Sequence, residues 1–149
     1  MNWYLIWRLV HLAGVLVFVA GHGVSVAVTV RLPRERDRSR LEALLSLSRS
    51  SIPWSNAGLL VLLVGGIANW IRVDYAPQGW LWAASGILAV LAVVGVTVAA
   101  PHFRRIRSRL GAADGSLEEV LRSRLPWTIF WVETIGTAAI VWLMVYKPF

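Results

Sequence analysis

Residues 3–30 read WYLIWRLVHLAGVLVFVAGHGVSVAVTV, an apolar stretch in which Arg8 is the only formally charged residue. About 20 apolar residues are enough for a helix to cross the hydrocarbon core of a bilayer. Three further stretches of this kind follow, at residues 53–71, 79–100 and 126–146. In lipid, only a helix satisfies its backbone hydrogen bonds within one segment. The sequence therefore predicts an all-α, polytopic membrane four-helix bundle, with residues 1–149 forming a single integral membrane domain.

The composition agrees with this class of protein. Of the 149 residues, 57% are hydrophobic and 15% are charged, whereas a soluble domain has a larger charged share. The absence of cysteine excludes disulfide scaffolds, iron–sulfur clusters and thiolate zinc sites. The first apolar stretch lacks the basic start and small-residue cleavage site of a signal peptide, so we expect it to remain in the mature chain.

The positive charges predict the topology. Twelve of the 15 arginine and lysine residues fall in two segments, 31–52 and 101–125, and only Arg8, Arg72 and Lys147 lie elsewhere. The positive-inside rule makes these segments cytoplasmic loops and places both termini outside. Basic residues beside a membrane also attract anionic lipid headgroups, which we expect as partners together with the bilayer itself. Because no soluble basic module with stacking aromatic residues is present, the net charge of +7 does not indicate nucleic-acid binding.

The two basic segments resemble each other. The motif RSSIPW at residues 49–54 returns as RSRLPW at residues 122–127, 73 positions later. Each segment also contains a Ser-x-x-Glu capping box, at residues 39–42 and 116–119. We therefore expect each to form a basic turn, then a short amphipathic helix on the membrane surface, then a proline in the first turn of the next span. The alternatives are two repeated helical hairpins or convergence of two similar loops.

Two histidines in the first span are candidate ligands for a metal or cofactor. His11 and His22 are 11 residues apart, which places them on one helix face about 16 Å apart along the axis. Gly14 and Gly21 lie on approximately the same face, where small residues allow a helix or a flat macrocycle to come close. Ionisable groups within a span often mark a site. The alternative is a neutral imidazole that hydrogen-bonds across a helix interface.

Glu133 is the only acidic residue well inside a span. It and His22 are predicted at similar depths, about 12 Å from the cytoplasmic ends of their helices, so the two could form a pair. Glu133 could equally orient a metal-bound imidazole, relay a proton, or stay protonated within the bundle. His102 follows Pro101 at the end of the third span and is expected to be interfacial rather than a ligand.

The stretch LVHLAGVLVFVAG at residues 9–21 resembles the opening span of a group of four-helix bacterial membrane proteins. This group includes the CopD-like copper-resistance proteins and the haem-dependent membrane protoporphyrinogen oxidases. The resemblance implies a bacterial cytoplasmic (inner) membrane protein in which His11 binds haem b. In the oxidases a lysine on a later helix is essential, whereas the only lysine here, Lys147, follows the last span.

Two functions remain open from the sequence. The first is a redox membrane protein in which His11, with or without His22, ligates haem b for electron transfer or for porphyrin or metal handling. Copper fits less well because the chain has no thiolate and only two methionines, which do not cluster. The second is a non-catalytic accessory subunit that associates with other membrane subunits or with copies of itself. No hydrolase or nucleotide-binding motif is present, and whether the chain is an enzyme stays open.

Overall fold

The computed structural model describes residues 2–73, 78–110, 116–121 and 123–148. Within these ranges the chain is helical and contains no strand. The helices are α1 (Trp3–Arg31), α2 (Arg38–Val73), α3 (Gly79–Val94), α4 (Ala100–Leu110), α5 (Ser116–Leu121) and α6 (Leu125–Tyr146). A 3₁₀ turn at Leu32–Arg34 follows α1, and a π-helical turn at Gly95–Ala99 joins α3 to α4.

Four segments of the chain are helices long and apolar enough to cross a membrane: Trp3–Arg34, Arg38–Ile71, Gly79–Leu110 and Leu117–Tyr146. Each predicted span lies within one of them, which confirms the all-α class, the number of spans and a multi-pass membrane protein. By its internal contacts the chain divides into two units. The first comprises Met1–Val28 and Ser46–Pro77, and the second comprises Thr29–Leu45 and Gln78–Phe149.

In the first unit, α1 and α2 pack with their backbones in direct contact. A Cβ atom added to Gly14 would lie 2.7 Å from Cα of Leu62, and one added to Gly58 would lie 2.7 Å from Cα of Phe18. Real Cβ atoms essentially never approach other atoms this closely, so only glycine fits at these two positions. Small residues serve this purpose in membranes, where helices attract each other mainly through close packing and interhelical hydrogen bonds. We call this contact the glycine seam.

The glycine seam has a single antiparallel register. Its closest approaches pair Gly14 with Leu62, Phe18 with Gly58, His11 with Gly65, and Gly21 with Ser55, so that each pair of residue numbers adds up to 76. Because glycines from both helices alternate along the contact, neither helix can slide by a turn without placing a side chain against the other backbone.

The first basic segment differs from the prediction. Instead of a surface helix followed by a new helix at Pro53, α2 runs without interruption from Arg38 to Val73 with Pro53 inside it. Proline removes one backbone hydrogen bond, to the carbonyl of Arg49, but does not by itself end a helix that is held on both sides. Here Leu45 and Ser48 are buried before Pro53, and Gly58 and Leu62 are buried after it. Packing along the whole helix therefore outweighs the local proline signal.

The start of α2 also differs from the predicted capping box. The backbone N–H and the hydroxyl of Ser39 both donate to Oδ1 of Asp37, and each donor–acceptor distance is 2.8 Å. The backbone N–H of Leu41 donates to the carbonyl of Asp37. Asp37 is therefore the N-cap, two residues before the serine that the sequence pattern indicated. The side chain of Ser116, in the second predicted capping box, lies outside the described part of the chain.

In the second unit, α3 continues into α4 through the π-helical turn. The backbone N–H of Ala100 donates to the carbonyl of Gly95, five residues back, immediately before Pro101. Proline has no N–H for the carbonyl four residues before it, and widening the preceding turn is one way in which a helix accommodates this loss. The helix therefore extends about ten residues into the segment that was predicted to be a loop.

The helix α6 begins as predicted, with Pro126 in its first turn. It packs against α3, where a Cβ atom on Gly136 would meet the side chain of Leu91 at 2.7 Å. This contact involves a side-chain terminus that can move, unlike the backbone contacts of the glycine seam. The α3–α6 pair thus consists of two packed helices, like the α1–α2 pair, but its backbones do not approach each other as closely.

The arginine-rich end of the second unit has its own apolar core. Leu32, Leu41, Phe103, Ile106 and Leu121 are each less than a tenth exposed. A guanidinium nitrogen of Arg38 donates to the carbonyl of Leu110 and so satisfies the C-terminus of α4. Within the described residues, the basic segments are therefore mainly helical and contribute to this core.

The glycine seam predicts a strong asymmetry among glycine substitutions. Gly14→Ala and Gly58→Ala should each destabilise the protein by about 1–3 kcal/mol because the methyl group overlaps backbone atoms that cannot yield. Gly23→Ala, also in α1, is the matched control, since nothing lies within 4 Å of its Cβ position. Unfolding of the detergent-purified protein by SDS titration would measure the difference. Equal stability of all three variants would contradict the close packing.

The cap of α2 predicts a dependence on acid. Hydrogen bonds from Ser39 and Arg40 hold the pKa of Asp37 below its ordinary value of 3.8. The stabilisation is therefore complete above that value and is lost as the pH falls through the lowered pKa. Asp37→Asn keeps a good N-cap that does not titrate. The difference in thermal midpoint between the two proteins should change below about pH 4, and a constant difference would show that folding does not lower the pKa of Asp37.

Candidate functional site

His11 lies on the face of α1 that contacts α2. Its Nδ1 is 2.7 Å from the carbonyl oxygen of Leu62, one turn along α2 from Gly65, the residue nearest to the His11 backbone. Since a carbonyl can only accept, Nδ1 carries the proton and donates, and the neutral imidazole has its lone pair on Nε2. The bond also gives the Leu62 carbonyl a second hydrogen-bond donor inside the membrane-spanning part of the chain.

Glycines make room for this imidazole. Cβ atoms built on Gly65 and Gly66 would lie 2.6 Å from the backbone nitrogen of His11 and 3.2 Å from its Nδ1, respectively. A side chain at position 65 would therefore overlap the His11 backbone, and one at position 66 would crowd its ring. Gly14, which was predicted to share the face of His11, belongs to the same seam.

At Gly21 the glycine seam becomes polar. A Cβ atom on Gly21 would lie 2.8 Å from both the backbone nitrogen and the hydroxyl of Ser55. One turn further along α1, the hydroxyl of Ser25 is 3.1 Å from that of Ser51 and 3.4 Å from that of Ser48. Ser51 and Ser55 also donate to carbonyls of their own helix. We call Ser25, Ser48, Ser51 and Ser55 the serine cluster.

The serine cluster was missed by the sequence reasoning. Ser48 and Ser51 on α2 are buried, at 3% and 6% exposure. The available signal was the spacing of three and four residues between serines 48, 51 and 55, which places them on one face of a helix. It was overlooked because the helix was expected to begin at Pro53.

His22 has a different environment from His11. Its ring stacks on Phe18, one turn earlier on α1, with 5.3 Å between the ring centroids and 10° between the ring planes. Its Nε2 atom is buried. The two histidines thus share a helix, as predicted, but His11 bonds across the interhelical contact while His22 packs along its own helix.

Glu133 is buried in α6 at 6% exposure. It belongs to the second unit, and His22 belongs to the first. Their pairing, and the roles in orienting an imidazole or relaying a proton, remain predictions.

His102 is buried at 5% exposure, and its interfacial position remains a prediction. It borders a narrow crevice within the second unit, which is otherwise lined by apolar residues and Thr29. Its ring meets Phe103 edge-on, and its Nε2 has no hydrogen-bond partner among the described residues. No position in the crevice is wide enough for a water molecule, so His102 has a packing role here.

The positions of the histidines and acidic residues limit which metal sites they can form. Because α1 is one continuous helix, His11 and His22 are separated by about 16 Å along its axis and cannot ligate the same ion. Within the described parts of the chain, no group of three or more His, Asp or Glu side chains could hold a metal. The glycine seam also leaves no gap between α1 and α2 for a macrocycle. One axial ligand, Nε2 of His11, is the most that these residues offer a haem.

Comparison with protein-family models, with curated proteins and with solved structures finds no match to this chain. The resemblance to the CopD-like and protoporphyrinogen oxidase-like group therefore remains a prediction that rests on the first span.

The bond from His11 to Leu62 can be tested by its contribution to stability. His11→Leu should destabilise the protein by about 0.6–1.7 kcal/mol, the range measured for hydrogen bonds between membrane helices. His22→Leu is the matched control because His22 makes a stacking contact that a leucine largely replaces. Both variants would be compared with the wild type by SDS unfolding. A smaller effect at His11 than at His22 would argue against the interhelical bond.

Proposed function

We propose that this chain is a non-catalytic accessory subunit of a larger membrane assembly, located in the bacterial cytoplasmic membrane. The observation that carries the proposal is the bond from Nδ1 of His11 to the Leu62 carbonyl. It gives the most conspicuous polar group of the first span a packing role. The serine cluster supports the same interpretation, since its hydroxyls bond to each other and to helix carbonyls.

The outward surface of the helices fits such a role. Leu16, Leu60, Ile71 and Val145 are each more than 60% exposed, as expected of helices that face lipid or other membrane proteins. Trp54 and Trp131 are also more than half exposed. Large rigid aromatic side chains are suited both to membrane interfaces and to contacts with a partner. The arginine-rich segments support the cytoplasmic placement of one end of the protein through the positive-inside rule.

Haem b binding is the second candidate, and one observation favours it. A histidine that ligates a metal through Nε2 usually donates its other ring N–H to a backbone carbonyl or a carboxylate, which fixes the tautomer. His11 has this arrangement. A haem would supply one-electron transfer. The residue that would hold it is His11, through Nε2.

One preparation distinguishes the two candidates. The full chain, purified in mild detergent at native expression level, should be colourless and should elute with stoichiometric membrane partners or as a homo-oligomer of defined mass. A Soret band that is lost in His11→Ala and retained in His22→Ala would overturn the accessory-subunit proposal in favour of haem. A colourless monomer without partners would contradict both.

A further inference from the structure

The helix α4 has two unlike faces. His102, Phe103, Ile106 and Leu110 are buried against the rest of the second unit. The other face carries exposed arginines at positions 104, 105 and 109. The sequence of this helix, APHFRRIRSRL, contains four arginines and no acidic residue.

These arginines differ from those at the start of α2. Three arginines there have carboxylate partners: Arg36 lies 3.9 Å from Glu118, Arg38 lies 3.8 Å from Glu42, and Arg40 lies 3.8 Å from Asp37. In contrast, no carboxylate of the described residues lies within 4 Å of Arg104, Arg105 or Arg107. The Nε atom of Arg107 is moreover buried without a hydrogen-bond partner in the described structure. The charges of Arg104, Arg105 and Arg107 are therefore not balanced by a carboxylate of the described residues.

The position of α4 along the helix identifies the kind of anion. Helical residues continue from Gly79 through the π-helical turn to Leu110. At 1.5 Å per residue, Arg104 lies about 37 Å from Gly79 along the axis. The hydrocarbon core of a bilayer is about 30 Å thick, and the headgroups extend the total to about 40–45 Å. Arg104 and Arg105 therefore lie at the depth of the lipid phosphates.

A cation–π contact between an arginine and a tryptophan also indicates the membrane interface. The guanidinium of Arg34 lies 5.2 Å from the ring centroid of Trp127. Pro33 and Pro126, the chain neighbours of these two residues, line the same crevice as Phe103, the neighbour of Arg104. Tryptophan and arginine both favour the membrane interface. Two independent features thus place the exposed face of α4 in the headgroup layer.

We propose that Arg104 and Arg105 on α4, together with Arg107, bind the phosphate of an anionic phospholipid. Guanidinium groups form strong, paired hydrogen bonds with phosphate oxygens. The arginines near the start of α2 contribute less, because each lies within 4 Å of a carboxylate that competes with the phosphate. The inference does not depend on whether the chain binds haem or associates with other subunits.

The experiment compares two double variants that remove the same charge. Detergent-purified full-length protein is delipidated and titrated with phosphatidylglycerol or with phosphatidylcholine, and bound lipid is counted by native mass spectrometry. Wild type should bind phosphatidylglycerol in preference to phosphatidylcholine. Arg104→Gln/Arg105→Gln should weaken phosphatidylglycerol binding about 30-fold, the factor expected from two interfacial arginines. The matched control Arg36→Gln/Arg40→Gln should weaken it less than about threefold, because exposed paired charges contribute little.

A charge-conserving variant and a folding control complete the experiment. Arg104→Lys/Arg105→Lys keeps the charge and should retain most of the binding, and circular dichroism would establish that every variant is folded. Equal losses in the two glutamine variants would reduce the effect to net charge and overturn the specific site. Equal binding of both lipids, or displacement of phosphatidylglycerol by a soluble acidic peptide with higher affinity, would also overturn it.

Discussion

Close contact between the backbones of α1 and α2 is the constraint on which the rest of the first unit depends. In lipid, apolar side chains gain little by leaving one hydrocarbon environment for another, so helices associate through dispersion contacts and hydrogen bonds. Both require short distances. Gly14 and Gly58 provide these distances, and the same register then brings His11 to the Leu62 carbonyl and Ser25 to Ser51. The polar bonds follow from the glycine packing and would not form across a contact between larger residues.

The same contact determines the chemistry that is left to His11. Because Nδ1 donates to a carbonyl, a neutral His11 imidazole is the tautomer protonated on Nδ1, and only its Nε2 can act as a base or ligand. A structural bond and a ligand role are therefore not exclusive, since histidines that bind metals usually have such a second partner. What the seam excludes is a macrocycle between α1 and α2. Whether His11 serves helix packing alone or also binds a cofactor therefore depends on which group contacts its Nε2 atom.

The sequence predicted most of the fold because membrane spans follow from local composition. Apolar length alone located the four helices, and small residues at Gly14 and Gly21 indicated close approach. The serine cluster could not be predicted in this way, because which residues of α2 meet Ser25 depends on the interhelical register. The helix start predicted at Pro53 was wrong for a related reason. Its local signal favours a helix start, whereas burial on both sides of it keeps α2 continuous.

The comparison between the two halves of the chain argues that the glycine seam is a specific feature of the first half. At the 73-residue offset of the repeated motif, the four seam glycines correspond to bulkier residues in the second half: Gly14 to Ile87, Gly21 to Val94, Gly58 to Trp131 and Gly65 to Ala138. His11 corresponds to Ala84. If a duplicated hairpin gave rise to both halves, the four seam glycines and His11 differ together between them. This is expected because the imidazole can bond across the contact only while the two backbones touch. If the halves converged instead, close packing arose only where polar groups needed it. Under either history, substitutions that widen the contact should remove the role of His11 along with the packing.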